Sequence, residues 1–374
     1  MRPFPLKILL CALAVSSLWA GEPIGSPGPP YNPLPNGKAP FRMIYSNDTT
    51  NIFTCPSPWR PRPDIPFSAK MIEETVKEAA VKGMDAQMIQ PGTGWVAWWK
   101  SKKLPFTRQL DWFKKEYGKE TYVGDFVDYM VNRNGDVVGD FLEACRKYNQ
   151  ACFVSYRLND LHHLREGLDG NPGGNRAIYL SKFYLKNDEY RLGKGLGVVD
   201  IAHNWMIPEV VQEKFEFIDE IARTYDLDGI ELDFLRSPNF FQTERHTKTP
   251  PTMAQRVQVM TQFISKVRKS IDESAKDGRR RWLCVRVPAE QADWIKVGLD
   301  PKAWRAAGVD MFNLSQSYNT SEQSDVALVR KLVPDATLYM ELTQCAHRWK
   351  IDVNRKKLSE NFRRSGFLVL ENAA

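Results

Sequence analysis

Cysteine and histidine are scarce in this chain of 374 residues, with 6 of the first and 5 of the second. No two cysteines stand in a C-x-x-C pair, and Cys11 lies inside an N-terminal apolar run. The remaining Cys55, Cys145, Cys152, Cys284 and Cys345 form no disulfide framework and read as small buried hydrophobes. His162, His163, His203, His246 and His347 show neither H-E-x-x-H nor H-x-H spacing, so no metal site is expected. A glycine-rich dinucleotide fingerprint, a P-loop and a serine elbow are also missing, which removes the common cofactor and serine-hydrolase readings. No cofactor is expected. Charge of one sign is not concentrated anywhere: the formal +7 is scattered along the chain, and nucleic-acid binding has little support.

Long hydrophobic runs are equally rare. Only "MRPFPLKILLCALAVSSLWAGEP" approaches one, with Arg2 and Lys7 ahead of the stretch Ile8 to Trp19 and a small residue, Ala20, at its end. That is the pattern of a signal peptide over residues 1–20, too short to span a bilayer, so the expected location is secreted or periplasmic, with no membrane association after cleavage. Residues 21–40 are a Pro/Gly-rich linker without apolar periodicity, expected to be poorly packed. The folded unit is expected over 41–374, and its oligomeric state is not readable from the sequence.

From Phe41 onward, short β-rich runs alternate with helical patterns: "FRMIYSND", "GMDAQMIQ", "ACFVSYRL", "DGIELDF", "RWLCVRVP", "VDMFNLSQSY" and "ATLYMELTQC". Helix signals stand between them. Pro208 opens one, with Val211, Phe215, Ile218, Ala222 and Tyr225 on a single predicted face, and Asp300-Pro301 opens another. Alternation of this kind calls for a parallel sheet, and without a dinucleotide fingerprint it favours a (β/α)8 TIM barrel, here with long insertions after strands two and three. The eighth strand is the weak point. Either "FLVLEN" closes the barrel or the sequence stops short of its last strand, and a final helix is missing in both cases.

Strand parity assigns the lumen. In "DGIELDF", Ile230, Leu232 and Phe234 face the helices, so Glu231 and Asp233 face inward, about 6.6 Å apart along the strand, with Asp233 nearer the C-terminal rim. The same rule turns Gln87, Arg157, Arg286, Asn313 and Glu341 inward. Barrel lumens are ordinarily packed with branched apolar side chains, so this polar ring is either a set of internal salt bridges or a working site. Glycosidic bond cleavage is a chemistry that needs such a ring: one carboxylic acid protonates the leaving oxygen while a second carboxylate attacks carbon or activates water. By depth, Asp233 is the expected general acid, Glu341 the nucleophile or base, and Glu231 a supporting carboxylate beside Arg157 or Arg286. Trp95, Trp98, Trp99 and Trp112 of the insertion after strand two could stack on sugar rings. Trp205, His203 and Tyr318 sit at expected rim positions.

The barrel pattern, "IYSND", "VSYRLND", "YMELTQC" and the rim motif "DGIELDFLRSP" resemble the bacterial secreted family 10-like glycosyl hydrolase domains, over about Phe41 to Cys345. The resemblance implies glycoside hydrolysis of a poly- or oligosaccharide and draws Arg236, in the R-x-P after strand four, into the substrate-binding set. The motif of chitinase-like barrels, D-x-x-D-x-D-x-E, is matched by Asp228, Glu231 and Asp233, with Glu in place of the second Asp, but its catalytic acid position holds Leu235. Chitinase chemistry is therefore not expected. The competing readings are a non-catalytic carbohydrate-binding barrel and a polysaccharide lyase.

Overall fold

A computed structural model describes residues 28–54, 62, 64–118, 127–165, 177–193, 197–316 and 324–343, together with the backbone of 366–371. The strands are β1 (Met43–Asp48), β2 (Ala86–Gln90), β3 (Ala151–Arg157), β4 (Gly229–Asp233), β5 (Trp282–Pro288), β6 (Met311–Ser315), β7 (Thr337–Thr343) and β8 (Gly366–Glu371). They close into one barrel in sequence order. Strands β1 to β7 are parallel neighbours, and β8 runs antiparallel to both β7 and β1, pairing Glu341 with Val369 and Ile44 with Val369. The hexapeptide at the end of the sequence is thus the closing strand, but its direction corrects the expectation of a regular (β/α)8 barrel. Closure leaves no exposed edge. The signal-peptide region, Cys55, Tyr318, Cys345, His347 and the helix expected after Cys345 lie outside the described residues.

The helices form where sequence signals place them, with shifts of a residue or a face. Thr252 and Gln255 make a reciprocal capping box at the start of the Met253–Glu273 helix, and the Asp300 side chain caps Pro301–Ala306 by accepting from the Ala303 amide. The Pro208–Thr224 helix buries Val210, Phe217, Ile218, Ile221 and Ala222. Its inward face is rotated from the expected one, since Val211 and Phe215 are only half-buried. The insertions are long: 60 residues separate β2 from β3, and 71 separate β3 from β4.

The barrel interior has two tiers. Ile44, Ala86, Met88, Phe153, Trp282, Met311 and Tyr339 fill the lower one, joined by Ala39 and Phe41 from the lead-in. The lead-in is better packed than its composition predicts. Ala39 and Phe41 are fully buried, Trp282 donates to the Tyr31 carbonyl at 3.1 Å, and Tyr339 donates to the Phe41 carbonyl at 2.8 Å. Its end is therefore a plug under the barrel rather than a loose linker, because backbone carbonyls satisfy two buried aromatic donors that the apolar tier cannot. Above the plug the lumen turns polar.

Candidate active site

Parity carries Glu231, Asp233, Arg286, Asn313, Glu341 and Arg157 into the upper tier, where each is at least 96% buried. The strand register aligns Arg157, Asp233, Arg286 and Asn313 across β3 to β6. At the centre is Arg286. Its Nη1 donates to Asp233 Oδ2 at 3.0 Å, and its Nε and Nη2 hold Glu341 in a two-pronged pair at 2.5 and 2.7 Å. Burial opposes the guanidinium charge, but Asp233 and Glu341 raise its pKa above the usual arginine value.

Asp233 also accepts from the amides of Leu235 and Arg236, each at 2.9 Å. The left-handed turn at Ser237, φ 82°, belongs to the loop that brings these amides round. Both Asp233 oxygens are therefore engaged as acceptors. Glu231 lies one layer deeper and is bound by weaker donors: the Ser155 hydroxyl at 2.6 Å, the Cys284 thiol at 3.4 Å and Asn313 Nδ2 at 3.1 Å. That Asn313 nitrogen also reaches Glu341 at 3.4 Å, tying the two glutamates together. Burial, assisted by the charge of Asp233, pushes the Glu231 carboxyl up to about 7. The arginine expected beside Glu231 instead bonds its two neighbours.

Arg157 organises a second, adjoining cluster. It donates to Asp48 at 2.7 Å, to Asp160 at 3.1 Å and from Nε to Gln90 at 3.1 Å. Asp160 is fully buried and also binds His162 Nδ1 at 2.5 Å, while Arg236 Nη2 lies 3.4 Å from His162 Nε2. Burial opposes the Asp160 charge, yet His162 and Arg157 hold its carboxyl well below the ordinary range. His162 is 46% exposed and so links this cluster to solvent. Asp48, Gln90, Ser155 and Asp160 were missed by the sequence reasoning. Asp48 and Gln90 occupy the last positions of β1 and β2, the rim end of each strand, which is the signal that could have found them.

Several expected site residues are elsewhere. Gln87 faces the helices, donating to the Val76 carbonyl at 2.8 Å and accepting from Asn47 at 3.2 Å, while Ala86 and Met88 take the lumen side of β2. Four of the tryptophans are core of the insertions rather than sugar platforms, and Trp112 is half-buried on the helix Phe106–Tyr117. Trp95 is fully buried against Tyr184 and His203 and donates to the Asp160 carbonyl; Trp98 packs edge-on against Phe53; Trp99 donates to Glu220. Trp112 packs against Phe113 and Tyr117, and Trp205 is fully buried against Phe240 and Phe263. Insertions of this length need hydrophobic cores of their own, and these rings supply them. His203 is fully buried among Trp95, Phe183 and Tyr184, and burial holds its imidazole well below the usual pKa, so it is not a mouth residue. Among the described residues, no group of three His, Cys, Asp or Glu side chains is arranged to hold a metal ion.

The raised Glu231 carboxyl makes stability depend on pH. Its folded value of about 7 exceeds the ordinary 4.5, so folding takes up a proton between those pH values. The favourable contribution is complete below about pH 4.5 and is lost as pH rises through 7, on the order of 3 kcal/mol. Replacing Glu231 with Gln should flatten that slope and raise stability above pH 7 relative to the parent chain. Denaturant melts of both proteins at pH 5 and pH 8 measure it; equal slopes for the two would show that Glu231 titrates normally.

What these features define is an α/β barrel with a carboxylate-rich, arginine-bridged upper lumen. No family model matches the chain, and no curated protein matches it either. Among solved structures it is similar to the PgaB (BpsB) glycoside hydrolase domain from Bordetella bronchiseptica, with 11% identity over 87% of this chain and 83% of that one, at a TM-score of 0.44. The catalytic domain of beta-amylase from Paenibacillus polymyxa matches at 8% identity over 72% and 81% of the two chains, with a TM-score of 0.43. The alpha-amylase from Geobacillus thermoleovorans matches at 13% identity over 72% of this chain, TM-score 0.37, and the chain spans only 51% of that amylase's length. These structural neighbours are glycoside hydrolases.

Proposed function

We propose that the chain is a glycoside hydrolase-like enzyme that cleaves a poly- or oligosaccharide by carboxylate chemistry at the barrel mouth, without a cofactor. One observation carries the reading: three buried carboxylates converge round Arg286 and Asn313, and one of them is held near pH 7 while the other two are ion-paired. Carboxyl groups pushed apart in acidity by their surroundings are how acid and base roles are divided in this chemistry. The roles differ from those argued by depth. Glu231 carries the transferable proton, because burial raises its carboxyl to about 7 and its donors are neutral, whereas Asp233 takes the Arg286 guanidinium. Asp233 and Glu341 are the carboxylates that meet developing positive charge or activate water. Arg157, Arg236, Asn313 and His162 frame the substrate side, and export through a signal peptide over residues 1–20 belongs to the same proposal.

The binding-barrel reading is supported by a separate observation: every carboxylate of the cluster is satisfied internally. Reducing-end release from a panel of polysaccharides, paired with a glycan array, separates the two. Cleavage of at least one polymer is expected; array binding with no cleavage at any pH would leave a binding protein.

A further inference from the structure

Away from the barrel mouth, the insertion after β2, the segment Ser181–Phe183 and the Pro208–Thr224 helix line a solvent-open cavity of about 500 Å³. Leu104, Phe183, Pro208 and Phe217 give it apolar walls, while Glu209, Glu213 and Glu216 reach it from a single stripe of the helix, their spacing of four and three residues placing them on one face. Glu213 is 92% buried. Its Oε1 accepts a long bond from the Ser181 hydroxyl at 3.4 Å, and its Oε2 has no hydrogen-bond donor. The charge near Oε2 is Lys214 Nζ at 3.7 Å, which gives its short bond to the Gly94 carbonyl at 2.6 Å and lies over the Trp95 ring. Burial raises the Glu213 carboxyl, against the pull of Lys214 and Lys103.

The cavity already shows how it treats an ammonium. Lys103 pairs with Glu216, and its Nζ stands 5.2 Å from the centre of the Phe217 ring. We propose that this cavity binds a small organic cation, a primary ammonium on a flat apolar body, with Glu213 as counter-ion and Phe183 and Phe217 as walls. A volume of about 500 Å³ suits an arylalkyl amine. Three lining carboxylates face two lysines, and the unmet group is an acceptor, which disfavours an anion. Among the described residues no three of its carboxylates are arranged to hold a metal ion. The site is separate from the barrel mouth and independent of any hydrolytic activity.

Calorimetric titration of phenethylamine into the full chain tests this, with 2-phenylethanol as the uncharged analogue. Saturable binding of the amine is expected, weakened about ten- to a hundredfold for the alcohol and for Glu213→Gln, the factor of one charge-assisted bond in a desolvated site. Lys103→Ala, which removes the resident ammonium, should tighten it. Absence of saturable binding to the parent chain, or equal binding of amine and alcohol, overturns the proposal without any variant. Unchanged amine affinity in a folded Glu213→Gln protein overturns it as well.

Discussion

Replacing Arg286 with Met is expected to cost about 3–5 kcal/mol of stability at pH 7, the loss typical of removing one member of a buried ion pair. The reason is the number of groups it leaves behind. Asp233 loses the donor to Oδ2, Glu341 loses its Arg286 donors to both oxygens, and both side chains are buried. For a chain of this size that loss lowers the melting temperature by roughly 4–7 °C. Arg286→Lys should recover only part of it, since an ammonium is a point charge and cannot serve Asp233 from one edge while holding Glu341 with two prongs. The double variant Arg286→Met, Glu341→Gln should lose less than the sum of its single changes, because the second removes one of the stranded charges. Thermal melts of the parent, the three single variants and the double variant decide it. A melting temperature for Arg286→Met within a degree or two of the parent would mean that the cluster is hydrated and the pairing energetically idle.

Amide replacement of the carboxylates is expected to have the largest effect on turnover. Asp233→Asn, Glu341→Gln and Glu231→Gln should each reduce it by at least about a hundredfold, the scale of a lost acid, base or nucleophile. Their effects on stability differ. Glu231→Gln removes a carboxyl that folding prefers to keep protonated and that makes no hydrogen bond to Arg286, so it should be neutral or stabilising near pH 7. Asp233→Asn and Glu341→Gln weaken the pairing with Arg286 and should lower the melting temperature. Activity and stability thus move in opposite directions for one carboxylate and together for the other two. Steady-state rates and melts on the same preparations show this pattern; full activity in Glu231→Gln would remove it from the chemistry.

Much of the site could be read from alternation alone. On β3, β4, β5, β6 and β7 one face is unbroken apolar, as in Leu283, Val285 and Val287, so the opposite parity had to carry Arg286 and its partners inward. On β2 the rule failed for a physical reason: both faces of "AQMIQ" are buried and each carries a glutamine, so alternation did not separate Gln87 at the helices from Gln90 in the lumen. The tryptophans were misplaced because a long insertion resembles an exposed loop in sequence, whereas Trp95 and Trp99 are what allow it to pack. The direction of β8 was invisible, since an apolar hexapeptide pairs equally well either way once both neighbours offer free edges. Depth alone ordered Asp233 before Glu231. The proposed roles reverse the two on the strength of their hydrogen-bond donors, which parity does not report.

The most direct test is the rate of reducing-end release from a polysaccharide panel by the unmodified chain, measured from pH 5 to pH 8. If the proton on Glu231 drives cleavage, kcat/KM falls as pH rises through about 7, following loss of that proton from the free protein. No release from any polymer at any pH, from a protein that melts cooperatively, would contradict the account and leave the arginine-bridged carboxylates as scaffold.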